Sequence, residues 1–335
     1  MIRLRSISPE LKKEYRKYRF VKLKNYLKDL ETEGRKSLPA NSKPEEELYH
    51  RECRKIVEYL SRDGCLDETK IENLLLGDIS QLKAAVDAIG QINSKDIKEG
   101  FEHLYDNFTK QNLGKKWASM TGVTVCPYCN RSYIFMVDDG GVRPQYDHFF
   151  PKSKYPYLSI SMYNLIPCCS VCNLAKHDGD SYKDGKLTML YPYESGYGEQ
   201  AVFNVSNKAN QADWISAWLG TAAEYRVELK YADGIASDLR MQIENSWKAF
   251  KLEELYEQHS DYIRDILRTK YIYNDEYFES LVAEFPSLFS NADEAKNLVF
   301  LNYLDEQDWG KRILAKLTHD LETPINFPEK IEISE

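Results

Sequence analysis

Residues 146–173 read YDHFFPKSKYPYLSISMYNLIPCCSVCN. This stretch holds an Asp-His pair (Asp147, His148), an Asn at position 164, and a Cys-x-x-Cys (Cys169, Cys172) followed at once by Asn173. An ordinary structural segment has no use for these groups at such close quarters. Upstream lies a second knuckle, Cys126-Pro-Tyr-Cys129. Two intervening residues let both sulfurs of a pair face one ion, and two such pairs make a tetrahedral four-thiolate zinc site. The gap of 39 residues between the knuckles is longer than in a plain zinc ribbon, so further structure is threaded between them. The spacing predicts a structural Zn²⁺ on Cys126, Cys129, Cys169 and Cys172, the alternative being buried reduced thiols. Cys168 adjoins the second knuckle, but only Cys169 forms the two-residue gap with Cys172. Cys168 is therefore expected to be a packed spare.

The rest of the chain sets limits on what this centre can serve. With 335 residues there is room for two or three compact units, or one large one with appended helices. Composition is that of a soluble globular protein, and no apolar run nears the roughly 20 residues that span a bilayer. The opening MIRLRSISPELKKEY has no apolar core of a secretory signal, so a cytoplasmic protein with reduced thiols or metal-bound cysteines is expected, with no membrane partner. Net charge is −8, which argues against a general nucleic-acid coat, yet the charge is uneven. Residues 1–36 hold 12 Lys and Arg against 5 Asp and Glu, while residues 182–335 hold 16 against 28. A basic end permits a local phosphate-binding surface, or it is the solvated face of a long helix.

Periodicity fills in the architecture. Ser8-Pro9-Glu10 is a good helix start, and apolar residues from Leu11 to Leu30 recur at helical spacing, predicting a helix over 8–34. Further helices are predicted at about 45–62, 67–76, 79–91 and 94–109, with a short one over 114–122. The composition changes at 124. YIFMV (133–137), the turn signal DDGG (138–141) and VRPQYDHF (142–149) predict a β-hairpin ending on the Asp-His pair. Cys169–His177 reads as a helix start. AVFNV (201–205) and EYRVELKY (224–231) predict a small β insertion, and 235–321 reads as helix with breaks near Asn274 and Pro286. The expected fold class is α+β, mostly helical. It comprises a helical region 1–120, a central zinc-clamped β-hairpin–helix module 121–200, and a mainly helical region 201–335.

The central module carries the chemistry. A hairpin followed by a helix can bring Asp147 and Asn173 onto one small cation, with oxygen ligands suited to Mg²⁺ or Mn²⁺. His148 would then face a water and, as neutral imidazole near pH 7, accept its proton as general base. Asn164 would brace the loop and hold His148 in one tautomer. Arg131, Lys152, Lys154 and Lys176 are candidates for holding nucleic-acid phosphates, or are solvated surface charges. Tyr155, Tyr157 and Tyr163 can stack on bases, although core packing is the better account in a chain with 24 tyrosines. His177 reads as a helix-surface residue.

His148, then Asn164, then Asn173, set between two Cys-x-x-Cys knuckles, resembles the HNH nucleases with their ββα-metal (His-Me finger) fold. The final His of that family's name is often Asn, as here. The resemblance covers about residues 124–180. It implies a metal-dependent endonuclease cutting phosphodiester bonds of DNA, with Asp147 and Asn173 as ligands of the catalytic cation, His148 as base and Asn164 as loop support. CPYCNRSYIF, the opening stretch continued through NLAKHD, and YPYESGYGE look more narrowly like the HNH subunits that accompany ATPases in Septu and retron-linked phage defence. That likeness implies an ATPase partner subunit, docked by the helical flanks. A binding or adaptor module that keeps the fold without cutting is the alternative.

Overall fold

The computed structural model describes residues 1–110, 122–137 and 142–323. They form an α+β protein, about half helical, with small two-stranded antiparallel sheets. The chain divides into two compact units: Arg3–Tyr128 with Ile134–Ser195, and Met1–Ile2 with Cys129–Tyr133 and the chain from Gly196 onward. The first unit thus joins the N-terminal helices to the central module. No helix among the described residues is long and apolar enough to cross a membrane.

In the first unit the helices are α1 (Pro9–Arg35), α2 (Pro44–Leu60), α3 (Glu68–Leu76), α4 (Ile79–Ile89) and α5 (Lys95–Lys110). Each starts and ends within two residues of the bounds expected from periodicity and caps. Ser8 accepts the Leu11 N–H at the start of α1, and Asp78 with Gln81 closes a capping box on α4. The buried stripe Leu11, Tyr15, Leu23, Leu27 and Leu30 packs α1 against α2 and α3. At Gly100 on α5, an added Cβ would sit 2.0 Å from the Tyr26 hydroxyl, so α5 can approach α1 this closely only with glycine. The short hairpin β1 (Ser61–Arg62) and β2 (Cys65–Leu66) links α2 to α3.

The Asp-His strand does not pair as the sequence pattern suggests. Strand β3 (Gln145–His148) takes its ladder from β4 (Leu165–Cys168), with Gln145 opposite Cys168 and His148 opposite Leu165. All four β4 residues are buried, so Leu-Ile-Pro-Cys offers an apolar partner covered on both faces. Residues 133–137 keep the alternation of an extended chain, with Ile134 buried and Tyr133, Phe135 and Val137 exposed. The Val137 N–H does reach the Val142 carbonyl, but the run joins no ladder with β3. The turn at 138–141 and the helix expected at 114–122, all but its last residue, Gly122, which stands in a turn, lie outside the described residues. Helix α6 (Ser170–Lys176) follows β4, and β5 (Tyr182–Lys183) pairs with β6 (Lys186–Leu187).

The loop between β3 and β4 is fastened to the helices. Tyr15 donates its hydroxyl to the Ile160 carbonyl, Ser161 to that of Leu74, and Tyr157 to that of Gly90. Tyr155 and Tyr157 are buried and Tyr163 half-buried beneath the Lys12 ammonium, so these tyrosines are packing residues.

In the second unit β7 (Ala201–Asn207) pairs along its length with β8 (Tyr225–Tyr231). Helices α7 (Trp214–Trp218), α8 (Ser237–Ala249), α9 (Leu252–Glu257), α10 (Ser260–Ile272), α11 (Asp275–Glu284), α12 (Ala292–Val299) and α13 (Ala315–Glu322) complete it. Phe203, Tyr225 and Val227 form the buried face of the hairpin, against α9 and α13. Asn130, in the left-handed region at φ 50°, accepts the Lys316 N–H on its side chain and the Leu314 N–H on its carbonyl, capping α13.

Candidate metal and catalytic site

Four buried cysteines, Cys126, Cys129, Cys169 and Cys172, hold their sulfurs within 4.8 Å of one another. A tetrahedral ion with bonds of about 2.3 Å places its sulfurs roughly 3.8 Å apart, so a small contraction suffices to take up zinc. Backbone N–H groups already point at two of the sulfurs, Cys172 N at Cys169 Sγ (3.5 Å) and Arg131 N at Cys129 Sγ (3.4 Å). The set can hold a structural metal such as zinc, and the local cause is the one read from sequence. Each Cys-x-x-Cys folds as a turn or a helix start that turns both thiols the same way. Cys168 is not of this set. Burial pushes its thiol well above the usual cysteine range, and its sulfur is not among the four that converge.

Beside this cluster, within the first unit, a cleft of about 330 Å³ is lined by Tyr105, Tyr146, Asp147, His148, Pro151, Lys152, Asn173, Leu174, His177 and Asp178. Strand β3 therefore delivers Asp147 and His148, and helix α6 delivers Asn173, to one opening. Asn173 is oriented by its amide, which donates to Gln145 Oε1 at 2.7 Å and leaves the amide oxygen available.

The His148 ring is fixed from two sides. Its Nε2 lies 2.9 Å from the Ser159 carbonyl, and the Tyr105 ring meets it edge-on with centroids 4.6 Å apart. A carbonyl oxygen can only accept, so Nε2 carries the proton and Nδ1 is the basic nitrogen. Burial is the main cause that pulls its pKa from 6.5 down to about 4, against the opposing pull of the Ser159 bond and the Asp147 charge. The ring is neutral at pH 7. Ser159 in turn donates its hydroxyl to the Phe101 carbonyl (3.2 Å), which anchors the orienting group to α5.

Asp147 is almost wholly buried, and donors hold both its oxygens. Tyr128 donates to Oδ2 at 2.6 Å, and the Lys176 ammonium donates to Oδ1 at 2.9 Å. Burial, then the neighbouring Asp147 carboxylate, pushes the Tyr128 phenol well up, so it remains a donor. Asn164, also buried, braces the loop. Its Oδ1 accepts the Phe150 N–H (2.7 Å), and its Nδ2 donates to the carbonyls of Phe150 (3.1 Å) and Leu158 (3.0 Å). The tautomer of His148 is set elsewhere, by Ser159.

The four candidate phosphate-binding cations differ in position. Lys176 is not a surface cation: its Nζ bonds Asp147 and, at 2.7 Å, the His148 carbonyl, with the side chain 1% exposed. The sequence places it on a helix surface, but its turn of α6 faces β3. Lys152 stands at the cleft with its ammonium 2.6 Å from Glu102 and over the Tyr105 ring. Lys154 pairs with Asp180 at 3.1 Å. Arg131 belongs to the second unit, its guanidinium over the Tyr256 ring. His177 is exposed and lies 3.6 Å from the Asp178 carboxylate.

Compared with known proteins, the chain matches no family model, no curated protein and no solved structure. The chemistry of the donors then has to carry the functional argument. A carboxylate and an amide oxygen are donor types that hard divalent cations take, while both Asp147 oxygens are here held by Tyr128 and Lys176. Tyr105, Tyr128, Gln145, Ser159 and the inward turn of Lys176 escaped the sequence reading. Only Tyr128 carried a signal there, as the residue inside the first knuckle.

Proposed function

We propose that the cleft is the active site of a metal-dependent HNH endonuclease that hydrolyses phosphodiester bonds of DNA. The observation that carries this reading is His148: a neutral imidazole in a fixed tautomer, opening on the same cleft as Asp147 and Asn173. A general base needs that protonation state at neutral pH and a rigid aim. His148 Nδ1 takes a proton from the attacking water, while Ser159 and Tyr105 hold the ring against rotation. Asp147 and Asn173 supply oxygens for a divalent cation, which when bound would neutralise the scissile phosphate and the leaving oxygen. Asn164 keeps the loop that carries Ser159 in place. Lys152 can exchange Glu102 for a backbone phosphate at the cleft's edge.

The four-cysteine cluster supports the site as a structural zinc centre, since Tyr128 sits inside one knuckle and α6 begins at the other. With a net charge of −8 the chain approaches DNA against repulsion, and affinity for DNA comes largely from neutralised phosphates. The reading therefore includes a partner, an ATPase subunit of a cytoplasmic anti-phage defence complex that delivers or restrains the nuclease. The second reading is a zinc-stabilised nucleic-acid-binding or adaptor subunit that does not cut. It draws on the engagement of both Asp147 oxygens by Tyr128 and Lys176. Plasmid nicking with Mg²⁺ or Mn²⁺ separates the two. Wild type is expected to nick and His148→Ala to lose at least about a hundredfold in rate. Equal activity in His148→Ala would remove His148 from the mechanism.

A further inference from the structure

We propose that Lys176 is the resident counter-ion of the cleft's cation site, so that a divalent cation binds Asp147 only by displacing the Lys176 ammonium. The proposal rests on the reading that this cleft takes a divalent cation through Asp147 and Asn173. Lysine is rarely buried, because its charge loses hydration, and where it is buried it is paired. Lys176 meets that condition with two bonds, to Asp147 Oδ1 (2.9 Å) and to the His148 carbonyl (2.7 Å). The second Asp147 oxygen is held by Tyr128 at 2.6 Å. The two donors thus hold both oxygens of the carboxylate, so an incoming cation competes with the ammonium for Asp147.

The placement follows from α6. Lys176 is three residues beyond Asn173, hence on the same face of the helix and about one turn along. Asn173 and Lys176 therefore address the same region of β3, one with an amide oxygen suited to a cation and the other with a cation of its own. A dication and an ammonium sharing one carboxylate repel strongly where water is excluded. Lys176 has a long flexible stem, and its ammonium, which is not among the groups lining the cleft of about 330 Å³, has to leave its buried position beside Asp147 to make way. In the absence of a metal the same ammonium holds the buried Asp147 in place, so the site is shaped before the ion arrives. The cost is weak affinity for the ion.

Mn²⁺ binding to the full, zinc-loaded chain tests this without reference to cleavage. Free Mn²⁺ is titrated by electron paramagnetic resonance against wild type, Lys176→Met, Lys176→Arg and Asp147→Asn, with zinc content and circular dichroism confirming each fold. Lys176→Met is expected to bind Mn²⁺ at least about tenfold more tightly than wild type. Lys176→Arg, which keeps the charge, should stay near the wild-type affinity, and Asp147→Asn should lose the site. Should Lys176→Met not fold, Lys176→Gln keeps a donor for Asp147 and carries the same expectation. Asp147-dependent binding that is unchanged or weaker in Lys176→Met overturns the counter-ion role and leaves the cation site standing. No Asp147-dependent binding in any protein overturns the cation site, and the counter-ion role with it.

Discussion

Asn164→Ala should destabilise the first unit more than any surface change, and the size follows from three hydrogen bonds. Asn164 is fully buried, accepts the Phe150 N–H, and donates to the carbonyls of Phe150 and Leu158. Truncation to alanine orphans the buried Phe150 N–H and carbonyl, while the Leu158 carbonyl keeps the Ser161 N–H. Each orphaned group costs about 1–3 kcal/mol, with carbonyls at the low end because of their second lone pair. With partial relaxation and water entry the two orphaned groups sum to about 2–3 kcal/mol. For a unit of this size that lowers the midpoint of thermal unfolding by roughly 4–12 °C. The loss should be local before it is global, so the Phe150 amide and the peptide over 149–164 should exchange hydrogen much faster than β7 and β8. Urea melts by far-ultraviolet circular dichroism give the free energy, and hydrogen exchange with mass spectrometry gives the location. Asn164→Asp retains the acceptor for Phe150 but turns a second oxygen towards two carbonyls, so it should be no better than alanine at neutral pH. A change below about 1 kcal/mol for Asn164→Ala would mean that the loop is held by its tyrosine anchors rather than by this amide.

The cysteines and His148 give two further tests. Cys172→Ser or Cys129→Ser should lose the bound zinc and unfold the central module, whereas Cys168→Ser should keep one zinc per chain and a near wild-type melt. Metal analysis with thermal denaturation reads both, and zinc retained by Cys169→Ser but lost from Cys168→Ser would reverse the ligand assignment. Burial lowers the His148 pKa from 6.5 to about 4, so between these values the unfolded chain binds a proton that the native one refuses. Its contribution is therefore fully present above pH 6.5 and is lost as pH falls to 4, by up to about 3 kcal/mol. Urea midpoints across this range should fall more steeply for wild type than for His148→Gln, and parallel curves would show that His148 is not held neutral.

Some of this molecule was written locally. Ser8-Pro9, Asp78 with Gln81, and a stripe of leucines one turn apart determine helix ends and faces, because caps and amphipathic periodicity act within a few residues. The two Cys-x-x-Cys pairs are equally local, and a tetrahedral thiolate site requires only that two such pairs meet. The order Asp147, His148, Asn164, Asn173 stands out for the same reason, unusual groups at short spacing, and Asp147, His148 and Asn173 line one cleft. Tertiary structure decided the rest. YIFMV is as good a strand as LIPC by composition, and β3 pairs with the latter because that partner is buried on both faces while alternate residues of the former stay in water. Lys176 reads as a solvated helix charge until α6 is docked on β3, which turns its ammonium onto a carboxylate 29 residues away. Ser159 and Tyr105 become the keepers of His148 only when α5 packs against the loop. A side chain's charge and size belong to the sequence, but its partner, and with it the cost or benefit of burying that charge, depends on which distant surface folding brings against it.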